Sequence, residues 1–261
     1  MKTDNTTATA TLYIVSTPIG NMDDISYRAI QILSTIDALA CEDTRHTRKI
    51  FSRFNIPAPK IFFSYHEHNE DSAGRKILKL LEENKNIALC TDAGTPGISD
   101  PGYRIISEAI NSGHHIEIIP GASAVTSALL ASGLPTSSFT FKGFPPRKKG
   151  QRKKFLEIEK EMPHTLIFFE SPHRVGGFLE DALEVLGNRL AAVCIDLTKM
   201  YEEVHKGYLE ELNQLLGSKK IKGEITLVIA GNNPKFTKSF AGSRGGFSKE
   251  PLAAGGNSES S

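Results

Sequence analysis

The sequence lacks paired cysteines and long apolar runs. Its three cysteines, Cys41, Cys90 and Cys194, are scattered and lie in strand-like runs, which argues against a disulfide framework and a zinc site. No segment approaches the roughly 18 apolar residues of a membrane span, and the polar N-terminus lacks the order of a secretion signal. We therefore predict a reduced, cytoplasmic protein without a metal site, whose cysteines are core residues.

Two common nucleotide-binding motifs are also missing, namely G-x-G-x-x-G and the phosphate loop that ends in Gly-Lys-Ser/Thr. Instead, the apolar run 87–90 leads into a loop, residues 91–102, that is rich in glycine and proline. Glycine allows a ligand to approach the backbone closely, and proline fixes the shape of a loop. Because open α/β sheets bind ligands at such loops, we predict a ligand site here that is not an ordinary dinucleotide or triphosphate site.

The first part of the chain alternates between strand-like and helical patterns. This alternation predicts an α/β fold whose N-terminal parallel sheet is covered by helices on both faces. Strands are predicted at 12–16, 38–41, 61–64, 87–90 and 116–119, and helices at 24–35, 44–54, 71–83 and 101–111. Asp24 is the predicted cap of the first helix.

A second set of elements follows residue 120. Helices are predicted at 122–131, 151–161, 174–186 and 208–216, and strands at 139–142, 165–169, 190–196, 203–207 and 224–230. Some connections are too short for a helical crossover, so this C-terminal sheet should be mixed. We predict an N-terminal α/β domain over 1–116, a C-terminal α/β domain over 117–233, and a disordered tail over 234–261, where no periodic apolar pattern is found.

A net charge of +1 conceals one strongly basic segment. Residues 142–154 include seven basic side chains and no acidic one, with phenylalanines interleaved. One interpretation is a solvated hinge followed by a basic helix face; the other is a loop that contacts RNA phosphates. The RNA-binding residues predicted here are Arg147, Lys148, Lys149, Arg152, Lys153 and Lys154.

Seven motifs, in and beside the loops at predicted strand ends, carry a family resemblance. The motifs are Thr17-Pro-Ile-Gly-Asn21, Cys41-Glu-Asp-Thr-Arg45, Asp92-Ala-Gly-Thr-Pro-Gly-Ile-Ser-Asp-Pro-Gly102, Ile119-Pro-Gly-Ala-Ser-Ala124, Gly143-Phe-Pro-Pro146, Phe169-Glu-Ser-Pro-His-Arg174 and Lys222-Gly-Glu224. This set resembles the tetrapyrrole methylase superfamily, and within it the enzymes that methylate the ribose 2′-hydroxyl of a cytidine in 16S ribosomal RNA. The resemblance implies a two-domain tetrapyrrole-methylase-like fold, S-adenosyl-L-methionine as cofactor, the small ribosomal subunit as substrate and a homodimer.

The resemblance also implies which residues hold the methyl donor in a cleft between the domains. By position they are Pro18, Ile19, Gly94, Thr95, Pro96, Ile98, Ser123, Ala124, Phe169, Glu170, Leu197, Ile225 and Thr226. Ser123 and Ala124 would open a helix, whose partial positive charge suits the methionine carboxylate. Each residue also has a plainer explanation: Ser123 as a helix cap, Pro18 as a strand end, Leu197 as a core residue.

Methyl transfer to a ribose hydroxyl needs in-line alignment and is helped by a proton acceptor. Catalytic residues are predicted at Glu42, Asp100, Glu170 and Arg174, and further possible proton acceptors at Asp43, His46, His173 and Glu224. Arg45, Arg48 and Arg174 are interpreted as phosphate clamps, because guanidinium forms two parallel bonds with phosphate. Alternatively, Asp43 only caps a helix and Arg45 is solvated. His66-Glu67-His68 lacks spaced partner ligands, so a solvated turn is favoured over a metal site.

Two other functions are compatible with this pattern. Tetrapyrrole and diphthine-type methyltransferases share the fold, but they usually carry Gly-Asp-Pro where this chain has Gly94-Thr-Pro96. A non-catalytic ribosome-binding factor is the other alternative. The intact Gly/Pro loops argue against it, because an inactive pocket has no need for close approach of the backbone.

Overall fold

The computed structural model describes residues 10–233 and contains two five-stranded sheets. The strands of the first sheet are β1 (Thr11–Val15), β2 (Ala38–Cys41), β3 (Ile61–Ser64), β4 (Ile87–Cys90) and β5 (His115–Ile119). They are all parallel and lie in the order β3-β2-β4-β1-β5. The helices of this half are α1 (Tyr27–Leu33), α2 (Thr44–Arg53), α3 (Glu70–Glu82) and α4 (Tyr103–Asn111).

Apolar side chains cover both faces of the first sheet. Leu12 and Ile14 pack into a core with residues of α3 and α4, whereas Val15 packs with residues of α1 and α2 on the opposite face. β2 and β4 are buried along their whole length, as parallel strands between two helical layers are. The same packing explains the continuous apolar runs of these strands.

The second sheet is mixed, as predicted. Its strands are β6 (Phe139–Phe141), β7 (Thr165–Glu170), β8 (Leu190–Ile195), β9 (Glu203–Tyr208) and β10 (Ile225–Ile229), in the order β6-β7-β10-β8-β9. Only the β6–β7 pair is parallel within these described strands. Helix α5 (Ala124–Ser132) packs on one face, and α6 (Lys149–Glu157), α7 (Val175–Leu186) and α8 (Leu209–Leu216) pack on the other.

The predicted fold class and all the predicted strands are confirmed, but two details differ. Asp24 does not cap the first helix: it lies in a 3-10 turn, and the Ser26 hydroxyl caps α1 by accepting a bond from the Ala29 amide at 3.1 Å. β5 pairs with β1 as far as Ile119, so the first sheet ends three residues after the predicted boundary at 116. The predicted disordered tail lies outside the described residues.

The three cysteines are free and buried, as expected of core residues. Burial raises the pKa of the Cys41 thiol to about 11 and that of Cys194 to about 12. None of the helices between residues 10 and 233 has the length and apolar character that crossing a membrane requires.

Helices α6 and α7 are joined by a buried ion pair that corrects one prediction. The Arg152 Nε donates to Asp181 Oδ2 at 2.8 Å, and the side chains are 8% and 0% exposed. Arg152 also donates to the Gly177 carbonyl at 3.2 Å. Because helical periodicity turns Arg152 toward α7, its guanidinium is unavailable to RNA, contrary to the sequence-based expectation.

We expect Arg152→Met to lower the free energy of unfolding by about 3 kcal/mol, because the buried Asp181 charge would keep only the more distant Lys149 ammonium, 3.8 Å away. The double variant Arg152→Met/Asp181→Leu should recover much of this loss. Urea unfolding of both variants measures the difference. Lys153, whose partner Glu184 is exposed, gives a matched control, with an expected loss of about 0 to 1 kcal/mol for Lys153→Met. Equal losses at Arg152 and Lys153 would contradict the prediction.

Candidate active site

The loops after β1 and β4 are bonded to each other at the carboxyl edge of the first sheet. Thr17 and Gly94 exchange two backbone hydrogen bonds, of 2.8 and 3.1 Å. The Ser16 and Thr95 hydroxyls are 2.7 Å apart and hydrogen-bonded. Gly94 has a φ of +85°, which residues with a side chain rarely adopt, so this bridge depends on glycine.

The loop after β1 also contacts the second sheet. The Asn21 amide donates to the Thr198 hydroxyl at 3.0 Å. A Cβ atom on Gly20 would lie 2.5 Å from Lys199 Cγ and 2.9 Å from the Leu197 carbonyl oxygen. Only glycine allows the two halves of the chain to approach this closely.

A cavity of about 480 Å³ lies between the two sheets, within the usual range for small-molecule sites. Ten of the thirteen predicted cofactor residues line it: Ile19, Gly94, Thr95, Ile98, Ser123, Ala124, Phe169, Glu170, Ile225 and Thr226. Pro18, Pro96 and Leu197 are outside the lining. Leu197 packs in the core beside Ile19 and Val125, so its plainer explanation holds.

The N-terminus of α5 opens into the cavity. Ser123 occupies the cap position, yet its side chain makes no capping hydrogen bond. Its role is therefore not that of a side-chain cap. Ser123 and Ala124 both line the cavity, where the amide groups of a helix start favour a negatively charged ligand group.

Besides Glu170, four carboxylates line the cavity: Glu42, Asp92, Asp100 and Glu224. Thr91, in the loop after β4, donates its hydroxyl to Glu42 Oε2 at 2.8 Å. Burial, followed by the charge of Glu42, raises the pKa of Asp100 to about 6. Burial also raises the pKa of Asp92. The site therefore has a strongly negative potential.

Glu170 and Arg174 form a separate pair. In β7, Phe169 packs on the α5 side of the sheet and Phe168 on the α7 side, so alternation directs the Glu170 side chain toward α7. Glu170 Oε1 accepts bonds from the Ser171 amide at 2.7 Å and from Arg174 at 2.6 Å. Burial raises the pKa of Glu170. In this geometry the two charges form an ion pair at the start of α7, and their role in catalysis stays a prediction.

In the motif Cys41-Glu-Asp-Thr-Arg45, which follows β2, the two acidic residues have different surroundings. Glu42 lines the cavity, whereas Asp43 caps α2 by accepting a bond from the Arg45 amide at 2.8 Å. The exposed Arg45 guanidinium bonds Asp43 and holds the pKa of that carboxyl well below its usual range. The helix-cap alternative is thus confirmed. Arg48 lies 4.7 Å from the centre of the Phe62 ring.

The basic segment starts at the cavity rim. Phe144 lines the cavity and its ring centre is 5.6 Å from that of Phe169. Beyond it, Arg147, Lys148 and Lys154 are exposed. Lys149 and Lys153 instead form ion pairs with Glu180 and Glu184 of α7. The segment therefore divides into an exposed basic surface and a set of helix–helix contacts.

Several lining residues were not predicted as site residues, among them Asp92, Val125, Phe144, Ser171 and Gly223. Asp92 and Phe144 lie within the glycine- and proline-rich motifs that start at Asp92 and Gly143. Membership of such a motif could therefore have predicted them as site residues. His46 and His173 are exposed and are not among the lining residues. In residues 10–233, no group of three or more His, Cys, Asp or Glu side chains is arranged to hold a metal ion.

A family model, curated relatives and solved structures all match this chain over most of its length. Residues 11–213 match the family described as tetrapyrrole (corrin/porphyrin) methylases. The chain is 49% identical, over 86% of its length and 77% of the relative, to ribosomal RNA small subunit methyltransferase I of Halalkalibacterium halodurans. It is 41% identical to the same-named protein of Thermotoga maritima, over 84% of this chain and 98% of the relative. A crystal structure of diphthine synthase superposes with a TM-score of 0.65 at 16% identity, covering 85% of this chain and 90% of the other.

The family match, together with the two sheets and the cavity between them, identifies an S-adenosylmethionine-dependent methyltransferase with an α/β fold. The chain belongs to the tetrapyrrole methylase family and, within it, to the ribosomal RNA small subunit methyltransferase I family. The cavity residues fit the donor: carboxylates suit its sulfonium cation, the start of α5 suits its carboxylate, and Phe169 and Ile225 suit its flat adenine.

We expect Asp100→Asn to stabilise the protein at neutral pH. The folded carboxyl keeps its proton up to a pH of about 6, whereas the unfolded one releases it near pH 4. The free energy of unfolding therefore falls as the pH rises through this window, and the loss of about 2 to 3 kcal/mol persists above it. Thermal unfolding at pH 4.5 and 7.5 should show a stabilised variant only at the higher pH. Equal stabilisation at both values would contradict the shift.

Proposed function

We propose that this protein transfers a methyl group from S-adenosylmethionine to the ribose 2′-hydroxyl of a cytidine in 16S ribosomal RNA of the small subunit. The observation that carries the proposal is the similarity to relatives named ribosomal RNA small subunit methyltransferase I, at up to 49% identity. The solved structures with under 25% identity, diphthine synthase among them, share the fold and give no support to a tetrapyrrole or diphthine substrate.

The chemistry assigned to the site is proton acceptance beside an aligned donor. S-adenosylmethionine supplies an electrophilic methyl group. The Asp100 carboxylate would accept the hydroxyl proton as the oxygen–carbon bond forms and the donor's sulfur–methyl bond breaks, leaving a neutral thioether. Glu42 and Thr91 hold the neighbouring loops in position. Asp100 suits this role because a base is most effective when its pKa lies near the working pH.

Phosphate contacts are assigned to exposed cations on both sides of the cavity. They are Arg147, Lys148 and Lys154 of the basic segment, together with Arg48 of α2 and with Arg45, whose exposed guanidinium would have to exchange Asp43 for a phosphate. Lys149 and Lys153 lie beside them but are engaged with α7. We further propose a cytoplasmic homodimer. Large exposed side chains such as Tyr103, Met200 and Tyr201 support an interface, and light scattering would report the mass.

The direct test is to incubate the protein with small ribosomal subunits and labelled S-adenosylmethionine, then to map methylation by mass spectrometry. We expect one added methyl group on the ribose of one cytidine in 16S ribosomal RNA. Naked 16S RNA, assayed in parallel, shows whether the assembled subunit is required. Methylation of a base, or transfer to no RNA at all, would refute the proposed function.

The variant Asp100→Asn serves as the catalytic control. We expect its rate at saturating substrates to be about 10²- to 10⁴-fold lower than that of the unchanged protein. Below a pH of about 6, kcat/KM of the unchanged protein should rise tenfold per pH unit, and it should be constant above. The variant should lack this inflection. A variant with the same pH profile and rate would exclude Asp100 as the proton acceptor.

A further inference from the structure

Positive charge is concentrated in the part of the chain around β3. Residues 44–79 include eight lysines and arginines and three acidic residues, a net charge of +5, although the whole chain has a net charge of only +1. The remaining residues therefore sum to −4. The predicted RNA-binding set includes only Arg45 and Arg48 from this region.

These cations surround an edge strand. β3 is the last strand of its sheet, with α2 packed on one face and α3 on the other. The Arg48 guanidinium lies 4.7 Å from the Phe62 ring centre, and the Lys76 ammonium lies 4.0 Å from that of Phe63. Because neighbouring residues of a strand face opposite sides, cations cover both sides of the edge.

We call this the β3 surface. It comprises Arg48, Lys49, Lys60, Arg75, Lys76 and Lys79, all of which are exposed. Within residues 10–233, none of the six forms an ion pair with a carboxylate, whereas Arg45 and Arg53 of the same region pair with Asp43 and Asp23. The six charges are therefore available to an external anion.

The cavity itself makes such a surface necessary for an RNA enzyme. Its carboxylates suit a cationic donor but repel the phosphates of an approaching RNA. Helix α2 starts two residues after Glu42, so at about 1.5 Å per residue Arg48 and Lys49 lie about 6 to 8 Å along the helix axis from its first residue. These cations attract the RNA backbone from outside the acidic site, because neither of them lines the cavity.

We propose that the β3 surface binds the sugar-phosphate backbone of ribosomal RNA flanking the target nucleotide, in addition to the contacts made by the basic segment. This inference rests on the proposed function for the identity of the RNA. Edge strands often carry lysine merely to prevent pairing with other sheets, which is the competing explanation.

The test uses three triple variants that each change the net charge by the same amount. Lys49, Lys60 and Lys79 are replaced by Glu on the β3 surface; none of them makes the ring contacts above. Arg147, Lys148 and Lys154 are replaced by Glu in the basic segment, as the comparison set. Lys206, Lys219 and Lys220, also exposed, are replaced by Glu as the control. A fourth variant has Gln in place of Lys49, Lys60 and Lys79. It removes the three charges without reversing them, so it shows whether an effect of the Glu set comes from misfolding.

Binding to a 16S RNA fragment is measured between 50 and 200 mM salt, with donor affinity measured by calorimetry. For the β3 set we expect affinity at least tenfold lower and a salt slope reduced by about two, at roughly 0.7 per lost phosphate contact. The Gln set should reduce the slope equally with a smaller loss of affinity. Donor affinity and the methylation rate at saturating RNA should be unchanged.

The possible outcomes separate this inference from the proposed function. If the β3 and control sets weaken binding equally, or the salt slope is unchanged, the β3 surface does not contact RNA and the edge-protection explanation stands. If the unchanged protein binds RNA through this surface but transfers no methyl group, the inference holds and the proposed function fails. If the unchanged protein does not bind RNA, both fail.

Discussion

The structure depends on the backbone bridge between Thr17 and Gly94. Two hydrogen bonds join the loops after β1 and β4, and the positive φ of Gly94 makes the bridge possible. The adjoining Gly20 lets the same loop approach the residues after β8 within a distance that no Cβ atom would allow. The cavity lies between the two sheets because these loops have little side-chain volume, which explains their glycine- and proline-rich sequences.

The charges of the protein fall into two regions: carboxylates line the cavity, and exposed cations lie outside it. Carboxylates around the cavity favour a sulfonium cation, and burial, followed by the charge of Glu42, raises the pKa of Asp100 to about 6. This arrangement lowers stability at neutral pH, and functional sites commonly carry such a cost. RNA is repelled by the same carboxylates, so its binding has to come from cations placed around them rather than inside the site.

Most of the fold was predictable, whereas the roles of individual charged residues were not. The alternation of apolar runs and helical patterns is local, so it located every described strand within a few residues. Arg152 and Lys148 look alike in a basic segment, yet one is buried against Asp181 and the other is exposed. Only the packing of α6 on α7 distinguishes them. Ser26 rather than Asp24 caps α1 for a similar reason, since both residues are suitable caps.

The sequence by itself determined the fold class, the family and the loops that line the cavity, because these follow from short-range pattern and from motifs of fixed order. The tertiary structure decided which side chains reach the cavity. Strand alternation brought the Glu170 carboxylate to Arg174, whereas Asp100 makes no ion pair within the described residues, and sheet order placed β3 at an exposed edge. Such outcomes depend on contacts between residues far apart in the chain, and no local pattern specifies them.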